Sequence, residues 1–428
     1  MWENEVESER SIHSLDQDLI GVERDVIRLV DAIGIVQPPF TIGVVGPWGS
    51  GKTSVLNLVR TELKNRDCMI DVWFDAWKYA RSASLLPALI HTLRKAAVQL
   101  GSKSARKFQR AARIAMMFGA DVALRGISGR AGVGLSLKEA KTLVREFGAE
   151  KGDDVLAEVI AAEGLHKVFD DAVRELLSSC QAKSGAPITR VCVFVDDLDR
   201  CSPEQSMRLI EDMHLFLSSD SVIFVLGLST ESVRVALRAK YGDDVALVDE
   251  YLHKLITLEV AVPASASNLK VLAISYSEEL YGSKAEEQIE ISKGNAWGFS
   301  VADKSNPRLL KRLIRHLALQ QAELHPIYEK YGGVLPGSLI AGCAVWPEFL
   351  EFIAEPSRNA NHFALWFDAT NRPQTITSQS IPPSSVEIFE RFEKAGNWYM
   401  DLRRLSNVIW TDDRSVVEAI VRVSRRVG

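Results

Sequence analysis

At 428 residues, with 46% hydrophobic and 25% charged side chains, the chain has the composition of a globular protein too long for one small core, so two or three domains are expected. A net charge of −5 excludes nucleic-acid binding driven by overall charge and leaves that role only to local basic patches. The five cysteines, Cys68, Cys180, Cys192, Cys201 and Cys343, are odd in number and lack a C-x-x-C pair, which points away from a disulfide framework or zinc site and toward a reducing compartment.

The start, Met1-Trp2-Glu3-Asn4-Glu5, is acidic and has no apolar core, so no secretory signal is expected. No stretch reaches the roughly 18 uncharged apolar residues of a membrane span. A cytoplasmic protein without a transmembrane segment is therefore the expectation. Ser14 to Ile33 reads as a charged helical arm with Val26, Ile27, Leu29 and Val30 on one face. It is either a packing helix or an arm that lays the Leu19–Gly21 turn against an adenine ring.

Phe40 to Val45 is an apolar run that reads as a buried strand, and Ser54 to Leu63 is an amphipathic helix. Between them stands Gly46-Pro47-Trp48-Gly49-Ser50-Gly51-Lys52-Thr53, which fits G-x-x-x-x-G-K-[ST] with a strand before and a helix after. Glycines let backbone fold closely around phosphate, and the N–H groups at the helix start, through Ser54, point at the anion. Lys52 can reach the β- and γ-phosphates, and Thr53 can offer its hydroxyl to Mg²⁺.

A second strand runs from Cys68 to Phe74 and ends in Asp75-Ala76-Trp77-Lys78-Tyr79. The helical stretch Leu85–Leu100 repeats Leu86, Leu89, Ile90 and Leu93, and Trp73 and Trp77 are expected to anchor it in the core, with base stacking as the alternative. Gly101 to Gly152 reads as an insertion. Lys103, Arg106, Lys107, Arg110 and Arg113 make its first helix basic, either as a solvated face or as a contact for nucleic acid or an anionic membrane surface. The Gly126–Gly134 run reads as a loop. Val155 to Cys180 is helical, and Gln181 to Pro187 is a turn.

Val191 to Val195 is too apolar for a half-exposed strand and ends in Asp196-Asp197-Leu198-Asp199-Arg200. Ser202, Pro203 and Gln205 are placed to be N-cap, first helical residue and partner in a capping box. Further strands are expected at Ser221–Gly227 and Lys254–Val262, the latter stopped by Pro263. Strands alternating with helices imply a parallel sheet covered on both faces. Beyond Pro263 the chain turns helical. Asn306-Pro307-Arg308 opens a basic helix with Leu309, Leu310, Leu313 and Ile314 on its apolar side. Asn371 to Ser385 reads as a surface loop, and Trp346, Trp366, Trp398 and Trp410 are spread through the last part.

Asp196, at a strand end, is the natural carboxylate on the Mg²⁺ side. Asp197 can polarise the attacking water, and Asp199 is the alternative. Both also read as structural, through ion pairs to Arg200 or helix capping. Ser229, after the next strand, can bond the γ-phosphate or cap a helix. Arg308 can contact phosphate from a lid or be a solvated charge. Arg200 can act on its own nucleotide, on a neighbour's, or as an internal ion pair.

Taken together, Gly46–Thr53, Phe74-Asp75-Ala76-Trp77-Lys78-Tyr79, Asp196-Asp197-Leu198-Asp199-Arg200-Cys201, Tyr251-Leu252-His253-Lys254-Leu255-Ile256 and Asn306-Pro307-Arg308 resemble the KAP family of P-loop NTPases over about residues 14–320. The resemblance implies a three-layer α/β/α fold with sheet order 5-1-4-3-2, a helical lid, and ATPase activity related to AAA+ and STAND proteins. Some bacterial members of that family act in phage exclusion and some animal members are membrane-associated scaffolds. The chain departs from the pattern where Arg113, Asp121, Arg125 and Arg130 interrupt a region that often holds membrane helices, and where Asp75 replaces a common Asn.

The expected organisation is an NTPase core over residues 1–263, with an insertion at about 101–185, a helical lid over 264–334 and a C-terminal region over 335–428. The expected function is Mg²⁺-dependent ATP binding and hydrolysis coupled to conformational change, with a role in bacterial antiphage defence by resemblance alone. A slow nucleotide switch or scaffold is the alternative, and a small-molecule kinase a third. ATP, Mg²⁺, further copies of the chain, and a protein gripping the C-terminal region or insertion are the expected partners.

Overall fold

The computed structural model describes residues 11–19, 21–66, 69–126, 154–184, 188–241, 245–262, 266–281, 291–295, 306–331, 334–345 and 414–427, with a few isolated positions besides. The chain divides into a sheet-containing unit, Ser11–Gln17 with Val22–Val262, and a second unit that comprises Met1–Arg10, Asp18–Gly21 and Pro263–Gly428.

In the first unit, helix α1 (Glu23–Ile35) buries Val26, Leu29, Val30 and Ile33, the i, i+3, i+4, i+7 stripe of an amphipathic helix. Ile27, expected on that face, is exposed because it lies one residue off the stripe. Arg190 donates to the Ile33 and Gly34 carbonyls at 2.9 and 3.1 Å and so satisfies the helix's C-terminal end. Strand β1 (Phe40–Val45) follows, then α2 (Lys52–Asn65) and β2 (Met69–Asp75). Helices α3 (Leu86–Gln99), α4 (Ala105–Gly126) and α5 (Asp154–Ser184) lead to β3 (Arg190–Asp196). The Gln181–Ser184 part of the expected turn instead continues α5. Helix α6 (Pro203–Phe216) and β4 (Val222–Leu228) come next, then α7 (Thr230–Tyr241), α8 (Val245–Leu255) and β5 (Leu258–Ala261).

The strands lie in the order β2-β3-β4-β1-β5, the expected 5-1-4-3-2 viewed from the other edge, and every pairing is parallel. One strand, β4, therefore separates the phosphate-loop strand from the Asp196 strand. The β5 expectation began too early, since Lys254 and Leu255 close helix α8. An apolar helix end running into a short strand leaves no change of period to mark the join.

Two apolar layers flank the sheet. On one side α1 packs on α2, and α2 packs on the sheet. On the other, Ile70, Val72 and Phe74 of β2 and Val191, Val193 and Val195 of β3 join α3 through α8 in one core. Successive strand residues alternate faces, so Trp73 points away from α3. It stacks on Phe194 at 6.1 Å and lies under Arg60 of α2. Trp77 is 54% exposed with Arg200 over its ring, 5.0 Å from the centroid. Neither tryptophan anchors α3, whose Leu86, Leu89, Ile90 and Leu93 share one core with Phe74, against which Tyr79 packs.

Phe108 of α4 and Phe169 of α5 are fully buried and meet edge-on at 6.0 Å, so the described ends of the expected insertion belong to the core. Residues 127–153, which include most of the Gly126–Gly134 run, lie outside the described residues. Of the basic side chains on α4, Lys107 pairs with Glu175 at 3.2 Å. Cys180, Cys192 and Cys201 of this unit are buried and form no disulfide among the described residues, and burial pushes the Cys201 thiol up to about 11.

The second unit's described elements include α9 (Ala266–Tyr281), α10 (Pro307–Leu319), α11 (Gln321–Tyr331), α12 (Val334–Val345) and α13 (Arg414–Val427). Asn306 caps α10 by accepting the Arg308 and Leu309 N–H groups at 3.1 Å each. Its buried stripe is Leu310, Leu313, Ile314 and Leu317, with the expected Leu309 only partly covered. Helix α13 packs against α10, α11 and α12, and its Arg422 and Arg426 pair with Glu323 at 3.0 and 3.1 Å. The Asn371–Ser385 loop and Trp346, Trp366, Trp398 and Trp410 fall outside the described residues. No helix among the described residues is long and apolar enough to cross a membrane.

Phe169→Ala is expected to lower the stability of the sheet-containing unit by about 3–5 kcal/mol, the range for emptying a buried aromatic site. Urea unfolding followed by circular dichroism measures it; a loss near zero would mean that α4 and α5 are an appendage.

Candidate functional site

The phosphate loop leaves β1 at Val45 and enters α2 at Lys52. Gly46 N–H donates to the Leu228 carbonyl at 3.3 Å, which ties the start of the loop to the end of β4. Gly49 and Gly51 have φ of 85° and 104°, backbone that side-chain-bearing residues rarely adopt, and a Cβ at Gly46 would stand 2.5 Å from Ser50 Oγ. Pro47 takes the Ser50 N–H through its carbonyl, and Trp48 at the tip is 62% exposed. Gly51 precedes α2 without a side-chain cap. The first N–H groups of a 14-residue helix thus face the loop, the arrangement that attracts an anion. Ser54, expected among the binding residues, uses its hydroxyl to accept the Ile12 N–H at 3.4 Å. Asn57 donates to Ser11, and Thr61 to the His13 carbonyl, so the segment before α1 runs along α2.

Lys52 is 7% exposed, and its ammonium donates to the Gly46 and Pro47 carbonyls at 3.1 Å each. Asp199 Oδ2 lies 2.8 Å from the same nitrogen. That contact is an ion pair whose angle falls outside hydrogen-bond geometry. Thr53 Oγ1 donates to Asp196 Oδ1 at 3.1 Å. Asp196 is buried, and its carboxyl is pushed up to about 6. Burial is the largest cause and the Asp197 charge the next; the Asp197 backbone N–H and the Thr53 hydroxyl pull the other way.

Asp197 has φ of 57°, in the left-handed region that aspartate tolerates better than most side chains. Its carboxylate holds Arg200 Nε at 2.8 Å. Of the alternatives open for Arg200, the structure has the internal ion pair. Asp75 sits opposite Asp196 in the β2–β3 register and turns to Lys78, 3.1 Å away. Ser202 caps α6 by accepting the Gln205 N–H at 3.2 Å, as expected, but the capping box does not close. Gln205 instead donates to the Ala80 and Ser82 carbonyls at 3.0 Å and pins the loop after β2.

Ser229 follows β4, one residue beyond the Leu228 carbonyl that holds Gly46, and its own carbonyl takes the Val233 N–H. Lys52, Thr53, Asp196, Asp199 and Ser229 thus gather at the carboxyl ends of three neighbouring strands. Arg308 belongs to the second unit, where it is the second residue of α10. Gly21, in the turn read as an adenine contact, also belongs there; a Cβ on it would come within 2.9 Å of Asn268 Nδ2.

One residue escaped the sequence reading. A Cβ on Gly227 would lie 2.9 Å from Leu56 Cδ1 and 3.2 Å from Asp196 Oδ1. A glycine inside an apolar strand is the available signal, because it marks a close approach. It leaves room for the carboxylate beside β4.

A five-stranded parallel sheet with the loop between β1 and α2, and a carboxylate across β4 from it, defines a P-loop NTPase. The family model described as KAP family P-loop domain matches residues 25–324. The chain belongs to that family. Among curated proteins none matches it.

Gly227→Ala is expected to cost about 1–3 kcal/mol by overpacking and to displace the Asp196 carboxylate; an unchanged melting midpoint would show that Leu56 yields freely. Asp196 also makes a pH prediction. Its folded value, about 6, lies above the ordinary 3.8, so in that interval the folded chain keeps a proton that the unfolded chain releases. This group's contribution to stability therefore falls as pH rises through the interval. Asp196→Asn removes a stability change on the order of 3 kcal/mol across that interval. Urea unfolding at both ends of the interval measures it, and equal slopes in wild type and variant contradict the assignment.

Proposed function

We propose that the chain is an Mg²⁺-dependent ATPase that couples its nucleotide state to a conformational change. The observation that carries this reading is the Thr53–Asp196 contact beside the loop that holds Lys52. In this reading the backbone of Gly46, Pro47, Trp48, Gly49, Ser50 and Gly51, with the helix start from Lys52 through Ser54, surrounds the phosphates. Lys52 pairs with the β- and γ-phosphates.

Thr53 and Asp196 would hold Mg²⁺. Their donor set is hard oxygen, as that ion requires, and a buried carboxyl whose proton is hard to lose gains from a cation. The ion would supply charge neutralisation at the phosphates. Asp197 and Asp199 are the candidates to orient the attacking water. Ser229 bonds the γ-phosphate or that water, and Arg308, in a lid over residues 264–334 that follows the core of residues 1–263, is the candidate for a further phosphate contact. Assembly into a homo-oligomer, a cytoplasmic location, a role for residues 335–428 in gripping a partner, and a place in bacterial antiphage defence complete the proposal by analogy with the family.

One observation favours the slow switch as a second reading. Asp197 is paired with Arg200 and Asp199 with Lys52, so both carboxylates that could serve water are engaged with cations. Turnover then waits for a partner or a rearrangement that frees one of them.

Phosphate release from ATP by the purified protein tests both readings. Lys52→Ala is expected to lose about 100-fold or more in turnover, as removal of a donor to a developing anion does. Asp197→Asn is expected to keep ATP binding and lose turnover by about 100-fold or more. Unchanged hydrolysis in Lys52→Ala would refute the site, whereas ATP binding without turnover in the wild type supports the switch.

A further inference from the structure

The Lys52 ammonium has three N–H donors. The Gly46 and Pro47 carbonyls accept from it at 3.1 Å each, and both belong to the loop itself. The remaining side of the ammonium faces Asp199, which comes from a different element, the turn Leu198–Arg200 after β3. The two side chains are 7% and 6% exposed, so solvent screens the pair little. The carboxylate oxygen lies 2.8 Å from the nitrogen but outside hydrogen-bond geometry, which makes it a charge contact that a better-aligned anion can displace.

Resting on the nucleotide-site reading, we propose that Asp199 is an internal competitor for phosphate. It neutralises Lys52 while no nucleotide is bound and must leave before phosphate oxygens can pair with that lysine. Two anions cannot share one buried ammonium without cost, and a buried carboxylate stripped of its counter-ion is strongly disfavoured. Nucleotide binding is therefore coupled to movement of the Leu198–Arg200 turn. Asp197 does not play this part, because its carboxylate already holds Arg200 within the same turn. Asp75 does not either, because it is paired with Lys78.

The experiment compares wild type, Asp199→Asn and Asp75→Asn, each checked for folding by circular dichroism, with Asp199→Ser as the substitute where the asparagine variant does not fold. Calorimetric titration with Mg-ADP is expected to show binding about tenfold tighter or more in Asp199→Asn, since its buried competitor is gone. Asp75→Asn removes the same charge nearby without touching Lys52 and is expected to gain less than about threefold. Affinity unchanged or weakened in Asp199→Asn overturns the proposal. An equal gain in Asp75→Asn also overturns it, because a general charge effect then suffices.

A second readout needs no nucleotide. Acylation of Lys52 by acetic anhydride, mapped by mass spectrometry, is expected to run several-fold faster in Asp199→Asn, with exposed Lys254 unchanged. Equal Lys52 rates overturn the hold on the lysine. No Mg-ADP binding in any variant removes the nucleotide-site reading and the competition with it, while the acylation rates still report whether Asp199 holds Lys52.

Discussion

The hydrogen bond from Thr53 to Asp196, 3.1 Å long, joins residues 143 positions apart, and the sheet exists in the form that brings them together. Parallel pairing requires each strand to return from the same end, so the carboxyl ends of β1, β3 and β4 lie along one rim. Placing β4 between the other two sets the spacing: β1 delivers the loop, β3 delivers the carboxylate, and the intervening strand must be thin where they meet. Gly227 meets that requirement, since a methyl group there would crowd both Leu56 and Asp196. One backbone bond, Gly46 N–H to the Leu228 carbonyl, fixes the loop's origin to the same strand.

The rim concentrates charge that the rest of the core avoids. Lys52 and Asp196 are buried and the Asp199 side chain is 6% exposed, whereas the strands beneath them are almost wholly apolar. The pairing is specific: Lys52 with Asp199, Arg200 with Asp197, Lys78 with Asp75. Asp196 alone of these acids meets a hydroxyl instead of a cation, and burial, with the Asp197 charge beside it, raises its proton affinity. The short turn Leu198–Arg200 carries two of the three pairs. Its position is held by Ser206, whose hydroxyl reaches the Leu198 carbonyl at 2.6 Å from the first turns of α6.

Much of the scaffold was legible in the sequence because local pattern and tertiary burial agree there. Phe40–Val45 is strand and nothing else, and the loop motif between it and α2 has only one sensible geometry. The errors occur where the two levels part. Trp73 is expected to anchor the α3 side, yet strict alternation with Ile70, Val72 and Phe74 places it on the opposite face. Gln205 carries a helix-start signature, yet its amide finds the Ala80 and Ser82 carbonyls, which no local rule could anticipate. The partner of Asp199 was hidden for the same reason. From the sequence its nearest cation is Arg200, one residue away, whereas the fold gives it Lys52 and gives Arg200 to Asp197.

The arrangement of these charges separates structural need from chemical use. Replacing a buried ion pair by well-packed apolar groups is often neutral or stabilising. A chain shaped for stability alone therefore has little reason to bury a lysine against two carbonyls and a carboxylate. It has equally little reason to leave Asp196 desolvated beside two other acids, or to hold Asp197 in left-handed backbone. Each feature breaks a local rule, and all of them fall on one rim, beside a helix start without a side-chain cap. Elsewhere in the sheet-containing unit, the Phe108–Phe169 contact, the α1 stripe and the α3 leucines obey those rules without exception. Strain gathered where an anion would sit is what a site organised around phosphate requires and what a merely stable fold does not.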